Sequence, residues 1–337
     1  MKNHANIPIF LPHKGCPNDC VFCNQKVITA KLNPLSKDEV INIIETYLST
    51  LLVNNTKTIE IAFFGGSFTG IPIEEQKEYL KIAKDYMNRG LVHRIRLSTR
   101  PDYINEEILE HLKFFGVSTI ELGVQSFDDN VLKLSNRGHN SQCIYQSSEL
   151  IKQNGFDLGI QLMIGLPGDS RRKSVESAKK TVKIGPKDVR IYPTMVLPGT
   201  KLEEMYHKGE YNPLIIEEAI ETTKQMYLIF KTAGINIIRV GLKSTDYIGK
   251  GKNVVAGDYH PAFRQLVEGD LIKDILEDQL KGAFKKAVFY CNNSNLSTMV
   301  GNRKCNKIYF EKKYPNKLFE FRTDNQLGKD EFRVELV

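Results

Sequence analysis

The sequence predicts an α/β fold, a parallel sheet curled into a partial (β/α)6 barrel over residues 1–242, followed by a small C-terminal α+β extension over 243–337. Two observations carry this reading. Short apolar runs alternate with helical patterns through residue 193, the rhythm of βα units in a parallel sheet. The loops after those runs concentrate Cys, Gly, Arg and Gln, as happens where active-site groups gather at the C-terminal ends of barrel strands.

Taken in order, IPIFLP at 7–12 is the first strand and a helix spans 36–52. TIEIAFFGG at 58–66 precedes a helix at 73–88, and VHRIRLS at 92–98 precedes one at 103–114. VSTIELGV at 117–124 leads into helices at 128–134 and 141–153; FDLGIQLMIG at 156–165 leads into a helix at 171–184. DVRIYP at 188–193 is the sixth strand, and a helix at 214–232 and a short strand at 235–239 stand after it. A doubly wound sheet is the alternative, because periodicity does not set strand order. Beyond Leu242, YIGKGKNVVAGDYHPAFRQLVEG reads as a loop packing back over the barrel mouth, and the tail as a helix at 269–282 with strands at 285–290, 306–311 and 317–322.

Composition narrows the class. A chain of 337 residues, 41% hydrophobic, has material for a large core and excludes disorder throughout. The opening MKNHANIPIFLPHKGC lacks the apolar core of a signal peptide, and no run of about 18 apolar residues occurs. Of six cysteines, three fall within eight positions, whereas Cys143, Cys291 and Cys305 are scattered, a distribution that favours a reducing compartment over a disulfide framework. A cytoplasmic protein with no membrane association is expected. The formal charge of +7, from 47 basic and 40 acidic residues, permits a polyanionic partner without requiring one.

Cys16, Cys20 and Cys23 can wrap a compact iron–sulfur cubane within one loop, because thiolates are the soft ligands such clusters take. Three thiolates leave one iron of four free to chelate a small molecule. A structural zinc site completed by His13 or Asp19 is the alternative. Gly65-Gly66-Ser67 ends the second strand, either as a ligand-binding turn or as a tight turn alone.

The run Cys16-Pro17-Asn18-Asp19-Cys20-Val21-Phe22-Cys23 resembles the CxxxCxxC signature of the radical S-adenosylmethionine (radical SAM) superfamily, including the aromatic Phe22 before the last cysteine. The resemblance implies the partial (β/α)6 radical SAM barrel and a [4Fe–4S] cluster on Cys16, Cys20 and Cys23, with S-adenosyl-L-methionine on the fourth iron. It implies reductive cleavage to a 5′-deoxyadenosyl radical, with the electron coming from a reductant such as ferredoxin or flavodoxin. Gly65, Gly66 and Ser67 resemble the element whose backbone receives the methionyl amino group. Thr99-Arg100-Pro101-Asp102, Glu121 to Ser126, Asn136-Arg137-Gly138-His139 and Ile191 to Thr194 resemble the radical SAM part of the Elongator catalytic subunit, which modifies tRNA wobble uridine using acetyl-CoA. This chain is too short for that group's acetyltransferase domain, and its short first cysteine interval is similar to relatives of oxygen-independent coproporphyrinogen oxidase.

Further site residues are expected on the same rim. Glu121, Gln125 and Ser126 are assigned to the cofactor or substrate region, against the alternative of a strand-end hydrogen-bond network. Arg100 and Arg137 can pair with a cofactor carboxylate or a substrate phosphate. Gln161 should point into the lumen with Gly159 and Met163, Gly165 to Gly168 should shape an adenosine pocket, and Tyr192 should form an aromatic wall. His260 is either a proton donor or acceptor or a helix cap. In the tail, Arg303, Lys304, Lys307, Lys312, Lys313, Lys317 and Arg322 interleave with Tyr309, Phe310, Tyr314, Phe319 and Phe321, a pattern that fits RNA binding or a sheet with buried aromatics. The substrate expected is tRNA or another RNA. A small metabolite such as a tetrapyrrole is the alternative, and a noncatalytic metal-stabilised RNA-binding protein stands against both.

Overall fold

The structure is a computed structural model and describes residues 4–11, 14–16, 20–24, 35–242 and 253–337. Seven parallel strands form one sheet in sequential order: β1 (His4–Leu11), β2 (Thr58–Gly65), β3 (Arg94–Thr99), β4 (Val117–Gln125), β5 (Asp157–Ile164), β6 (Asp188–Pro193) and β7 (Asn236–Val240). The helices that link them are α1 (Lys37–Val53), α2 (Ile73–Asn88), α3 (Glu106–Phe114), α4 (Asp129–Leu134), α5 (Ser141–Gln153), α6 (Arg171–Ile184), α7 (Lys201–His207) and α8 (Ile216–Thr232). The expected partial barrel is therefore present with seven strands instead of six. The segment at 235–239 joins the sheet because Asn236 donates to Asp188 across the β6–β7 pair at 2.9 Å.

Each strand has two dissimilar faces, as its period of two requires. On β2, Ile59, Ile61 and Phe63 pack outward against helices, while Glu60 points inward to Arg96. The helices bury matching stripes: α1 places Val40, Ile44 and Leu48 four residues apart, and its first turn is fixed by a reciprocal cap between Ser36 and Glu39.

The extension holds α9 (Phe263–Asp278), β8 (Lys286–Cys291), α10 (Leu296–Val300), α11 (Cys305–Lys313), β9 (Leu318–Thr323) and β10 (Phe332–Leu336). Its sheet has β8 at the centre, parallel to β9 and antiparallel to β10. Helix α9 ties the two units together, since Phe263, Val267 and Leu271 belong to the barrel core and Ile272 and Leu276 to the extension core.

Two sequence expectations fail here. The segment at 306–311 is helical, because Asn306 and Phe310, one turn apart, both face inward. Asn306 donates to the carbonyls of Gly269 (2.8 Å) and Met299 (3.1 Å), which a strand could not place together. Helix α9 starts six residues earlier than expected, since Gly269 lies inside it as a packing position, where a Cβ would come within 3.2 Å of the Thr298 carbonyl oxygen. No helix among the described residues is long and apolar enough to cross a membrane.

Candidate active site

The cysteine segment is clamped from four sides at the C-terminal end of the sheet. Ser67 N–H donates to the Lys14 carbonyl (2.9 Å), Val21 N–H to the Ser135 carbonyl (3.2 Å) and Leu202 N–H to the Val21 carbonyl (2.7 Å). The Asn24 amide closes the far end on the Pro198 carbonyl at 2.7 Å. Phe22 packs with Val21 in an apolar cluster that includes Val255 and Ala256. Those two belong to the segment after 253, which bridges to Val196 and so does pack back onto the loops of the barrel mouth. His13, Asp19 and residues 243–252 lie outside the described residues.

Glycine is required where the cysteine loop meets the second strand's loop. A Cβ on Gly66 would stand 2.0 Å from the Lys14 carbonyl oxygen, and one on Gly15 would stand 2.1 Å from that of Ser67. Both obstacles are backbone, so neither can swing aside. Gly65 has φ +112°, a conformation a side chain would strain, and lies against Leu11. The Ser67 side chain is fully buried; its hydroxyl meets Thr99 Oγ1 at 2.9 Å and accepts from Arg100 N–H at 3.3 Å.

Two arginines lie against the cysteines. Arg137 Nη1 donates to Cys20 Sγ at 3.1 Å and Nη2 donates to the Gly123 carbonyl at 2.5 Å. Arg100 forks onto Asp102 (2.9 and 2.8 Å) and donates to the Arg137 carbonyl, leaving its buried Nη1 without a partner. Loss of water and the adjacent Cys20 push the Cys16 thiol up, while the guanidinium charges of Arg137 and Arg100 pull it down. Gln125, at φ +68°, holds its buried Oε1 without a partner beside Gly123 and Arg137. Ser126 is buried and its hydroxyl accepts from Asp128 N–H at 3.1 Å, a strand-end turn. His139, its side chain fully buried, lies 3.9 Å from Asp102; burial first, then Arg137, pushes its pKa down to about 4.

Glu121 sits deeper. Its carboxylate accepts from Arg96 Nη1 (2.7 Å), Arg190 Nε and Nη2 (2.6 and 2.9 Å) and Gln161 Nε2 (2.9 Å). Arg96 continues the network to Glu60 (2.9 Å) and Asp188 (2.8 Å). Gly159 leaves room for it, as a Cβ there would meet Glu121 Cγ at 2.7 Å. Glu121 is thus the hub of a charge-compensated lumen floor, and Gln161 belongs to that floor through Glu121 and Ser98 (3.1 Å). Tyr192 lies on the lumen face beside Arg190. Arg239, in register with Arg190 on β7, shares that face and makes no ion pair among the described residues.

A profile of the radical SAM superfamily matches residues 10–181, just over half of the chain, and one of the radical SAM C-terminal domain matches residues 186–273. The chain belongs to the radical SAM superfamily. It is 35% identical over 190 residues to the tRNA uridine(34) acetyltransferase of Methanocaldococcus infernus, covering 49% of this chain and 35% of that protein. It is 32% identical over 210 residues to an uncharacterised protein of Methanocaldococcus jannaschii, covering 61% of each. The solved structure of M. infernus Elp3 lacking its N-terminus superposes with a TM-score of 0.66 at 25% identity, covering 82% of this chain and 64% of that one. The chain spans between about a third and a half of the length of the curated acetyltransferases it matches.

Radical SAM membership implies S-adenosylmethionine and an iron–sulfur cluster. Among the described residues no three His, Cys, Asp or Glu side chains are arranged as a metal site. The donor set nevertheless suits an anionic cluster: three cysteines outside any disulfide lie close together in sequence, with the guanidinium charges of Arg137 and Arg100 near them. The buried, unpartnered Arg100 Nη1 and Gln125 Oε1 offer a donor and an acceptor beside it.

Other expected residues are placed differently. His260 Nδ1 accepts from Ala262 N–H at 3.1 Å, a turn just ahead of α9, and among the described residues no side chain caps the first turn of that helix. Phe310 and Phe319 are buried in the core of the extension, which removes those two rings from base stacking, while Tyr309 is half-buried and donates to Glu277. Lys313 pairs with Glu277 and Lys317 with the Phe284 carbonyl. Sequence reasoning missed α7, whose Leu202 amide grips the cysteine segment, and the arginines of the lumen floor. Arg96 and Arg190 alternate with apolar residues in their strands, a signal that could have found them.

Proposed function

We propose that this chain is a radical SAM enzyme that holds a [4Fe–4S] cluster on Cys16, Cys20 and Cys23, binds S-adenosylmethionine beside it, and modifies an RNA, with tRNA as the first substrate to test. The observation that carries the RNA reading is the 190-residue likeness to a tRNA uridine(34) acetyltransferase. The bound group would supply reductive carbon–sulfur cleavage and a radical able to abstract hydrogen. The protein's part is to orient and enclose. Arg100 Nη1 is suited to receive the methionyl carboxylate, and Gln125 Oε1 an ammonium or ribose hydroxyl. Gly65 and Gly66 bring backbone close to the cysteine segment. Tyr192 and Arg239 line the lumen, Arg239 with a guanidinium for a substrate phosphate. The extension from 243 onward adds phosphate attraction through the exposed Arg303, Lys304 and Lys312. The electron donor is a ferredoxin or flavodoxin, in a reducing cytoplasm.

The test is anaerobic incubation of the reconstituted enzyme with S-adenosylmethionine, reductant and bulk tRNA, followed by mass analysis of the nucleosides. A new or altered nucleoside that requires Cys20 supports the reading. Failure to bind tRNA at low salt, or cofactor cleavage that tRNA neither stimulates nor couples to a product, contradicts the RNA assignment.

A further inference from the structure

Arg137 lies against a cluster ligand and is held there by more structure than a surface cation needs. Its Nη1 is 3.1 Å from Cys20 Sγ, its Nη2 is anchored on the Gly123 carbonyl, and its own carbonyl is gripped by Arg100. Arg100 is in turn locked by the Asp102 fork at 2.9 and 2.8 Å. Arg137 is 6% exposed and Cys20 is 9% exposed, so the contact is screened from water.

We propose that Arg137 is a positioning residue that sets the reduction potential of the cluster, donating to the Cys20 sulfur and raising the potential so that a cellular reductant can load the electron. This rests on the functional reading above. One electron passes from the external reductant to the cluster, adding a negative charge to a group that three thiolates already make anionic. A fixed N–H donor and a positive charge at a ligand sulfur stabilise the reduced form more than the oxidised one. The Gly123 carbonyl holds the guanidinium itself, and the Asp102–Arg100 pair fixes the backbone that carries it.

The test is an EPR-monitored redox titration of the reconstituted full chain. Arg137→Gln, with iron content matched to wild type, should shift the oxidised-to-reduced equilibrium at least about tenfold toward the oxidised form, roughly 59 mV for a one-electron couple. Arg137→Lys keeps the charge but cannot reach both the sulfur and the Gly123 carbonyl, and should fall between. Arg172→Gln, an exposed cation on α6, should leave the potential unchanged. Wild type labelled with 15N-arginine should also show nitrogen hyperfine coupling to the reduced cluster, a reading that needs no variant. An unmoved potential in Arg137→Gln, or no arginine coupling in wild type, overturns the proposal and leaves the enzyme assignment standing. A wild type that takes up no cluster overturns both.

Discussion

Glu121→Gln removes the charge at the hub of the lumen floor, and the structure sets the scale of the loss. Arg190 keeps at most one of its two contacts, at 2.6 and 2.9 Å, and loses the charge behind both, whereas Arg96 keeps Glu60 at 2.9 Å and Asp188 at 2.8 Å. The glutamine amide also turns donors toward guanidinium donors. Glu121 is 1% exposed, so water cannot replace what is lost, and breaking one partner of a buried pair typically costs about 3–5 kcal/mol. Replacing both partners with apolar groups, Glu121→Leu with Arg190→Met, should recover much of this, giving a coupling energy of about 2 kcal/mol or more. Urea unfolding of the apoprotein followed by circular dichroism measures all four proteins of the cycle. A single-variant loss below about 1 kcal/mol, or strictly additive losses, would refute the reasoning. If Glu121 instead contacted the cofactor, Glu121→Gln would weaken S-adenosylmethionine binding with stability nearly intact.

Three further outcomes are expected. Gly66→Ala drives a Cβ into the Lys14 carbonyl, two residues before Cys16, so it should lower iron uptake as well as cofactor affinity; normal iron content would show that the loop can give way. His139 stays neutral in the folded chain down to about pH 4, against about 6.5 unfolded, so the unfolded state binds more protons between those values. Stability present above pH 6.5 should therefore fall by up to about 3 kcal/mol as pH drops toward 4. A His139→Gln variant should lose that slope in unfolding titrations, and an unchanged slope would contradict the assignment. Charge reversal of Arg303, Lys304 and Lys312, which face solvent, should weaken tRNA binding at low salt and less at high salt, whereas identical affinities by filter binding would remove the extension from recognition.

The barrel was legible because each of its strands carries one apolar face and ends in a chemically marked loop; helices at 73–88 and 171–184 were read to the residue. What was missed depends on contacts far apart in sequence. Asn306 and Gly269 make sense only together, and reading each alone gave a strand at 306–311 and a late start for α9. The cysteines and Gly65-Gly66 announced themselves by spacing. Arg137 was singled out, yet its partner, Cys20, lies 117 positions away and could not be inferred from local pattern. Glu121 was noticed as a charge in an apolar strand, but the arginines that neutralise it come from β3 and β6, so its role in the floor emerged only with the register. The alternating basic and aromatic residues of the tail fitted two readings, and burial of Phe310 and Phe319 favours core packing.

The central claim is that one segment of this chain holds a catalytic cluster through three cysteines and leaves an iron for S-adenosylmethionine. Anaerobic reconstitution with iron and sulfide counting, followed by EPR of the reduced protein with and without S-adenosylmethionine, tests it most directly. About four irons and four sulfides per chain are expected, with a spectrum that changes when the cofactor is added and loss of that response in Cys16→Ala, Cys20→Ala and Cys23→Ala. Zinc without iron, or a cluster spectrum indifferent to the cofactor, would contradict it.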